Sequence, residues 1–417
     1  MEKYIINGGY KLTGEMNIQG AKNSVLPILA ATVISGKTSY ISNIPKLRDV
    51  EVMVKILSSL GANVSLDNDI MIIDSSTVNK IEVPEELVRE MRSSIIIMGA
   101  MLARFGEVLI AFPGGCELGP RPIDLHLKAL RQMGAIIEES HGFLNCKTKG
   151  LKGCEIQLDY PSVGATENIM LAATTAKGVT TIRNAAREPE IIDLQNYLNE
   201  TGAKVFGAGT SIITIEGVEE LDSCTHRIIP DRIVAGTYMI ATAITKGELV
   251  LKDIVTDHLL SIISKLREVG VEVHANGNSL KVIGPDKIHA IEMLQTLPYP
   301  GFPTDMQAQF MTLLSIANGT SIVNETIFEN RFKHAEELNR MGACIKTFGK
   351  VAVVKGVKEL TGARVTAKDL RGGASLVLAG LVAKGTTEIE NIYHVNRGYE
   401  KMSENLNKLG AKIKVVD

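Results

Sequence analysis

Residues 56–66 read ILSSLGANVSL: a run with apolar residues at helical spacing, a glycine, then alternating residues of strand type. The pattern returns as ALRQMGAIIEE (129–139), YLNETGAKVFG (197–207), KLREVGVEVHA (265–275), ELNRMGACIKT (337–347) and NLNKLGAKIKV (405–415). The glycines Gly61, Gly134, Gly202, Gly270, Gly342 and Gly410 recur about every 70 residues. Each falls where a helix ends on a left-handed residue, and the alternation after it predicts a strand. A second phase of the same repeat reads ATVISGKTSYISNI (31–44), MLARFGEVLIAFP (101–113), TTAKGVTTIRNA (174–185), AITKGELVLKDI (243–254), SIANGTSIVNET (315–326) and LVAKGTTEIENI (381–392). Leu26, Leu29, Ala30 and Val33 place an apolar helix before Gly36, and the stretch after it is strand-like.

Each unit therefore holds two helices and several strands. One unit cannot bury its own apolar face, so several must pack with helices inward and sheets outward. Six units predict an α/β architecture of two lobes, three units per lobe. The boundary falls near THRIIPDR (225–232), giving one lobe over 22–229 and a second over 1–21 and 230–417. The first 20 residues read as a strand pair left over from the sixth unit, so that the chain crosses between lobes twice.

Bulk properties exclude several functions. A net charge of −2 argues against a non-specific nucleic-acid binder, so anion recognition must come from locally placed lysine and arginine. The five scattered cysteines contain no C-x-x-C pair, which disfavours a disulfide framework or a cysteine zinc site and fits a reducing cytoplasm. The N-terminal stretch lacks a signal-peptide core, and no apolar run is long enough to span a bilayer. Gly36-Lys37-Thr38 lacks the upstream glycine of a phosphate loop, GAGTS (207–211) lacks dinucleotide-site spacing, and the histidines show no metal-ligand spacing. No cofactor, metal, membrane or obligate protein partner is expected.

The residues opening the first helix of each unit point to chemistry. They are Lys22-Asn23-Ser24, Arg92-Ser93-Ser94, Ser162-Val163-Gly164, Asp231-Arg232, Thr304-Asp305 and Arg371-Gly372-Gly373. Helix N-termini carry unpaired N–H groups and partial positive charge, and surface arginines have no reason to follow a repeat phase. A polyanionic substrate in a cleft between the lobes is the resulting expectation. Cys116 lies within PGGCELGPRPIDLH (113–126), a Gly-rich stretch that predicts an exposed loop able to act as a lid. Arg121 five residues on favours its thiolate. The absence of a Cys/His protease pattern leaves acid catalysis or covalent capture of a small anionic electrophile.

GAKNSVLPIL (20–29), the Cys116 stretch, SVGATENIM (162–170), TDMQAQF (304–310), ETIFENRF (325–332), DLRGGASLVLAG (369–380) and HVNRGYE (394–400) together resemble the enolpyruvyl transferase family, in the branch acting on UDP-N-acetylglucosamine. The resemblance spans essentially the whole chain. It implies a two-lobed inside-out α/β barrel and transfer of the enolpyruvyl group of phosphoenolpyruvate to the sugar 3-hydroxyl, with phosphate released through a tetrahedral intermediate. By the same resemblance Cys116 protonates the methylene carbon and Asp305 is the base at the hydroxyl. Lys22, Asn23, Arg121 and Arg397 hold phosphoenolpyruvate, with Arg331 and Arg371 completing the cationic site. The UDP-sugar lies along Asn23, Arg92, Arg121, Pro122, Ile123, Asp124, Leu125, Ser162, Val163, Gly164, Asp305 and Ile327, and Asp369 and Leu370 flank the reacting groups. Tyr160-Pro161 stands where some members carry a lysine for the diphosphate. The shikimate 3-phosphate branch shares fold and donor, but the cysteine loop and RPIDLH argue against it. A silent sensor would lack Cys116, Lys22, Asp305 or Arg397, and all four are present.

Overall fold

The structure, a computed structural model, describes residues 2–113 and 123–416. All six repeat glycines have positive φ, between 90° and 109°. At each, the glycine N–H donates to the carbonyl three residues back, and the next N–H donates to the carbonyl five residues back, as in Ala62 N to Leu57 O at 3.0 Å. This double closure satisfies the last orphan carbonyls of the helix and turns the chain into the following strand.

Five units build a four-stranded sheet in a common order, and the second keeps three of its strands, with a single bridge between Glu82 and Leu109 in the opening place. In the third, Glu155–Gln157 runs parallel to Val179–Arg183, which pairs antiparallel with Ile212–Glu216, itself antiparallel to Lys204–Phe206. Along these strands every second residue is buried, so one face packs on helices and the other meets solvent. The helices Lys22–Ser35, Arg232–Ile244 and Leu370–Val382 are sealed along nearly their whole length, from Ser24 to Ile34, Arg232 to Ile244 and Arg371 to Leu381. The second helix of each unit is two-faced, as in Arg48–Leu60, where Val50, Val52, Met53, Ile56, Leu57 and Leu60 point inward. Gly99 lets the central helices Ile97–Phe105 and Val163–Ala173 approach: a Cβ there would sit 2.3 Å from the Asn168 carbonyl oxygen.

Residues 2–19 with 230–416 form one compact unit, and 20–113 with 123–229 the other. Each holds three sheets and its own apolar core. The N-terminal strands are not a pair. Lys3–Asn7 completes the sixth sheet between Thr386–Glu390 and Lys412–Val416, whereas Thr13–Asn17 runs parallel to Glu248–Lys252 and opens the fourth. The reason lies in the strand before the fourth central helix, Cys224–Arg227, which runs parallel to Thr38–Ser42 and opens the first sheet. The fourth unit must therefore draw its opening strand from the N-terminus.

Cys224–Arg227 is pinned by charge as well as by its ladder. His226 Nε2 lies 3.0 Å from Asp193 Oδ1, and Nδ1 lies 2.8 Å from Glu200 Oε2. Asp193 Oδ2 accepts in turn from Ser24 Oγ and from Ile229 N. Burial disfavours the imidazolium, but the two carboxylates outweigh burial and raise the His226 pKa. Stabilisation from this clamp is therefore complete below the unfolded histidine value of about 6.5 and is lost as pH rises through the higher folded value. His226→Gln is expected to lower the melting temperature by several degrees at about pH 6 and by distinctly less at about pH 9. An equal loss at both, read by calorimetry, contradicts a charged clamp.

Candidate active site

In the lobe containing the C-terminus, three helix openings carry an aspartate. Asp231 caps Arg232–Ile244, accepting from Ile233 N at 2.8 Å and Val234 N at 3.0 Å. Asp369 caps Leu370–Val382, accepting from Arg371 N at 3.0 Å and Gly372 N at 2.9 Å. Asp305 lies in the 3-10 turn Thr304–Met306 and caps nothing; its carboxylate faces two guanidinium groups instead. Arg331 Nη2 donates to Oδ1 at 2.7 Å and Arg371 Nη2 to Oδ2 at 2.9 Å. Burial pushes the Asp305 pKa up, but Arg371 and Arg331 more than reverse this and hold it well below the usual carboxylate range. Arg371 Nη1 also donates to Tyr399 Oη at 3.3 Å. That hydroxyl lies 2.8 Å from Thr237 Oγ1 and 3.1 Å from Gln309 Nε2, which joins the polar starts of all three central helices.

Arg331 is 3% exposed, yet its Nε and Nη1 have no hydrogen-bond partner among the described residues. A buried donor left open costs about 1–3 kcal/mol. Such a cost persists where a ligand oxygen completes the arrangement.

The loop carrying Ile327 is fixed by the fully buried Glu325. Its Oε1 accepts from Ile327 N at 2.9 Å, Phe328 N at 3.1 Å and Thr296 Oγ1 at 3.0 Å, and its Oε2 from Thr304 Oγ1 at 2.9 Å. One carboxylate thereby ties the Asp305 turn to the Ile327 loop.

In the other lobe, Lys22 opens the helix Lys22–Ser35, and its Nζ lies 3.0 Å from Asp49, which is 3% exposed. Pro27 supplies no N–H to the carbonyl of Asn23 one turn earlier. Arg92 opens the 3-10 turn before Ile97–Phe105. Ser162 caps Val163–Ala173, its Oγ accepting from Ala165 N at 3.3 Å. Gly164 faces His126, so that a Cβ there would lie 3.2 Å from the ring.

Asn23, Val163, Leu125, Ile327, Leu370 and Arg397 are half-buried, Ile123 is buried and Asp124 is exposed at the start of Asp124–Gln132. Cys116, Arg121 and Pro122 lie outside the described residues. Asp305, Arg331, Asp369, Leu370, Arg371, Arg397 and Ile327 thus belong to one lobe, and Lys22, Asn23, Arg92, Ser162, Val163, Gly164, Ile123, Asp124 and Leu125 to the other. Among these, Asp305, Arg331 and Arg371 are joined by direct ion pairs. Asp49, Glu325 and Tyr399 were not singled out from sequence. Glu325 and Tyr399 nevertheless stand inside the quoted stretches ETIFENRF and HVNRGYE. Glu325→Leu strands four donors and is expected to destabilise the protein by about 3 kcal/mol or more in urea unfolding. A loss under about 1 kcal/mol removes Glu325 as the tie between the two loops.

Residues 6–415 match the family model of EPSP synthase (3-phosphoshikimate 1-carboxyvinyltransferase). UDP-N-acetylglucosamine 1-carboxyvinyltransferase 2 of Caldanaerobacter subterraneus subsp. tengcongensis is 55% identical over 413 residues, covering 99% of each chain. The Halothermothrix orenii UDP-N-acetylglucosamine 1-carboxyvinyltransferase is 52% identical over 416 residues, covering 100% of each. Among solved structures, the enolpyruvyl transferase NikO from Streptomyces tendae superposes with a TM-score of 0.91 at 25% identity, over 100% of this chain and 99% of that one. EPSP synthase from Acinetobacter baumannii gives 0.78 at 18% over 100% of both, a likeness of fold alone. The two-lobed inside-out α/β architecture is that of these proteins, and the chain belongs to the enolpyruvyl transferase family, in its UDP-N-acetylglucosamine 1-carboxyvinyltransferase branch.

Proposed function

We propose that the protein transfers the enolpyruvyl group of phosphoenolpyruvate to the 3-hydroxyl of UDP-N-acetylglucosamine and releases phosphate, the first committed step of peptidoglycan precursor synthesis. The observation that carries the reading at the site is the pair of open nitrogens, Nε and Nη1, on buried Arg331 beside the Asp305–Arg371 ion pair. A small polyanionic substrate with a planar carboxylate suits such a guanidinium fork. Small-molecule substrates in the cytoplasm complete the reading; no described helix is long and apolar enough to cross a membrane.

In the proposed addition, the Cys116 thiol gives its proton to the methylene carbon of phosphoenolpyruvate. The sugar 3-hydroxyl oxygen bonds to the adjacent carbon, and its proton passes to Asp305. In the elimination, the methyl group returns a proton to the Cys116 thiolate, the double bond re-forms, and the C–O bond to phosphate breaks, the phosphate leaving with the proton that Asp305 had taken. Lys22, Arg121, Arg331, Arg371 and Arg397 serve as fixed cations where charge develops on carboxylate and phosphate. Asn23 supports the donor, Asp369 and Leu370 flank the reacting carbons, and the residues assigned to the UDP-sugar hold the acceptor. Asp305 enters as a carboxylate, since its two arginines keep it ionised. Held that far down it is a weak base. A substrate anion that engages the guanidinium groups loosens their grip and moves its proton affinity toward the range where general-base catalysis works.

Phosphate release from phosphoenolpyruvate should require UDP-N-acetylglucosamine, and shikimate 3-phosphate should not replace it; the opposite selectivity would falsify the assignment. Asp305→Asn should cut kcat by about a hundredfold or more. A variant retaining full kcat excludes Asp305 as the base.

A further inference from the structure

His126 is buried, with 7% of its surface exposed, and Asn168 beside it is fully buried. The amide of Asn168 is oriented by two backbone contacts: Gly99 N donates to Oδ1 at 2.6 Å, and Nδ2 donates to Ile95 O at 3.0 Å. The second proton of that Nδ2 therefore points at His126 Nδ1, 3.0 Å away, which must accept. Burial and the charge of Arg92 push the His126 pKa down to about 4, so the ring is neutral near pH 7. With Nδ1 accepting, the single ring proton sits on Nε2.

This Nε2–H has no partner among the described residues. It lies 3.4 Å from where a Cβ on Gly164 would be, at the first turn of the 11-residue helix Val163–Ala173. There the N–H groups of Ala165 and Thr166 are taken by Ser162, leaving those of Val163 and Gly164. Three donors thus converge with the positive end of a helix, while Tyr160-Pro161 offers no cation before Ser162. Convergent N–H donors without a carboxylate select an oxyanion.

We propose that His126 is a specificity-determining residue that donates its Nε2–H to a diphosphate oxygen of the bound nucleotide sugar. The proposal rests on the reading that the UDP-sugar runs along Ser162, Val163 and Gly164. Asn168 acts as a positioning residue, fixing the tautomer through Nδ1.

The test is calorimetric titration of UDP-N-acetylglucosamine, UDP and uridine into the full-length protein and variants, with melting temperatures. His126→Asn retains an acceptor near the Nδ1 position and removes the distal donor. It should weaken UDP-N-acetylglucosamine and UDP about tenfold, leave uridine unchanged and leave the melting temperature near wild type. His126→Gln places an amide near the Nε2 position; it should keep affinity within about threefold while losing thermal stability, because Asn168 Nδ2 is left open. Unchanged UDP affinity in His126→Asn, or an equal loss for uridine, overturns the role of His126. Failure of the underlying placement reads differently: Gly164→Leu, which fills the helix end, would then bind UDP-N-acetylglucosamine as wild type does.

Discussion

A helix buried along its sides can trade hydrogen bonds with water or ligand only at its ends. The central helices of both lobes meet this condition, since residues such as Val25, Ile28, Leu29 and Val33, or Ile233, Met239, Ile240 and Ala243, are fully or almost fully sealed. Their first-turn N–H groups must therefore be satisfied where the helix begins. Ser162, Asp231 and Asp369 do this with their own side chains, whereas the turns at Lys22, Arg92 and Thr304 have no side-chain cap. Burying the helix flank and presenting open donors at its tip are two consequences of one packing decision, repeated unit after unit.

The same decision separates the lobes chemically. One opens its helices with Lys22, Arg92 and Ser162, the other with Asp231, Asp305 and Asp369. Aspartate suits a helix N-terminus electrostatically, but three carboxylates at the starts of neighbouring buried helices would repel one another. Arg371 and Arg331 relieve this by bonding Asp305, and the charge of Asp231 also favours the Arg371 cation. A structural need of the helices thus brings in the arginines that a substrate anion can use.

The repeat made much of the fold legible. Glycine at Gly61, Gly134, Gly202, Gly270, Gly342 and Gly410 is a local backbone requirement, and the two phases around it carry their own helix and strand periodicity. Strand ownership was less accessible, because Thr13–Asn17 and Cys224–Arg227 are short segments whose partners lie more than 180 residues away for one and more than 230 for the other. Nothing local distinguishes a strand that closes its own unit from one that opens another. The helix openings that carry the candidate site residues could be read from repeat phase. Glu325, Asn168 and Tyr399 could not, since their work is to satisfy donors contributed by distant turns, and a buried polar residue looks in sequence like any surface one.

Among Asp305, Arg331 and Arg371 the formal charge is one carboxylate against two guanidinium groups, an excess of one positive charge at a buried place. Water cannot fully compensate it there, because Arg331 is sealed and its remaining N–H groups find no protein acceptor among the described residues. An incoming carboxylate, as proposed, would supply both negative charge and hydrogen-bond acceptors, and would gain more than at an exposed arginine. In the proposed mechanism its arrival would also draw on Arg371 and Arg331, which hold the Asp305 carboxyl well below the usual carboxylate range. In the proposed mechanism, binding of the donor and activation of the base would then be one electrostatic event, so that the site becomes reactive after the anion is in place.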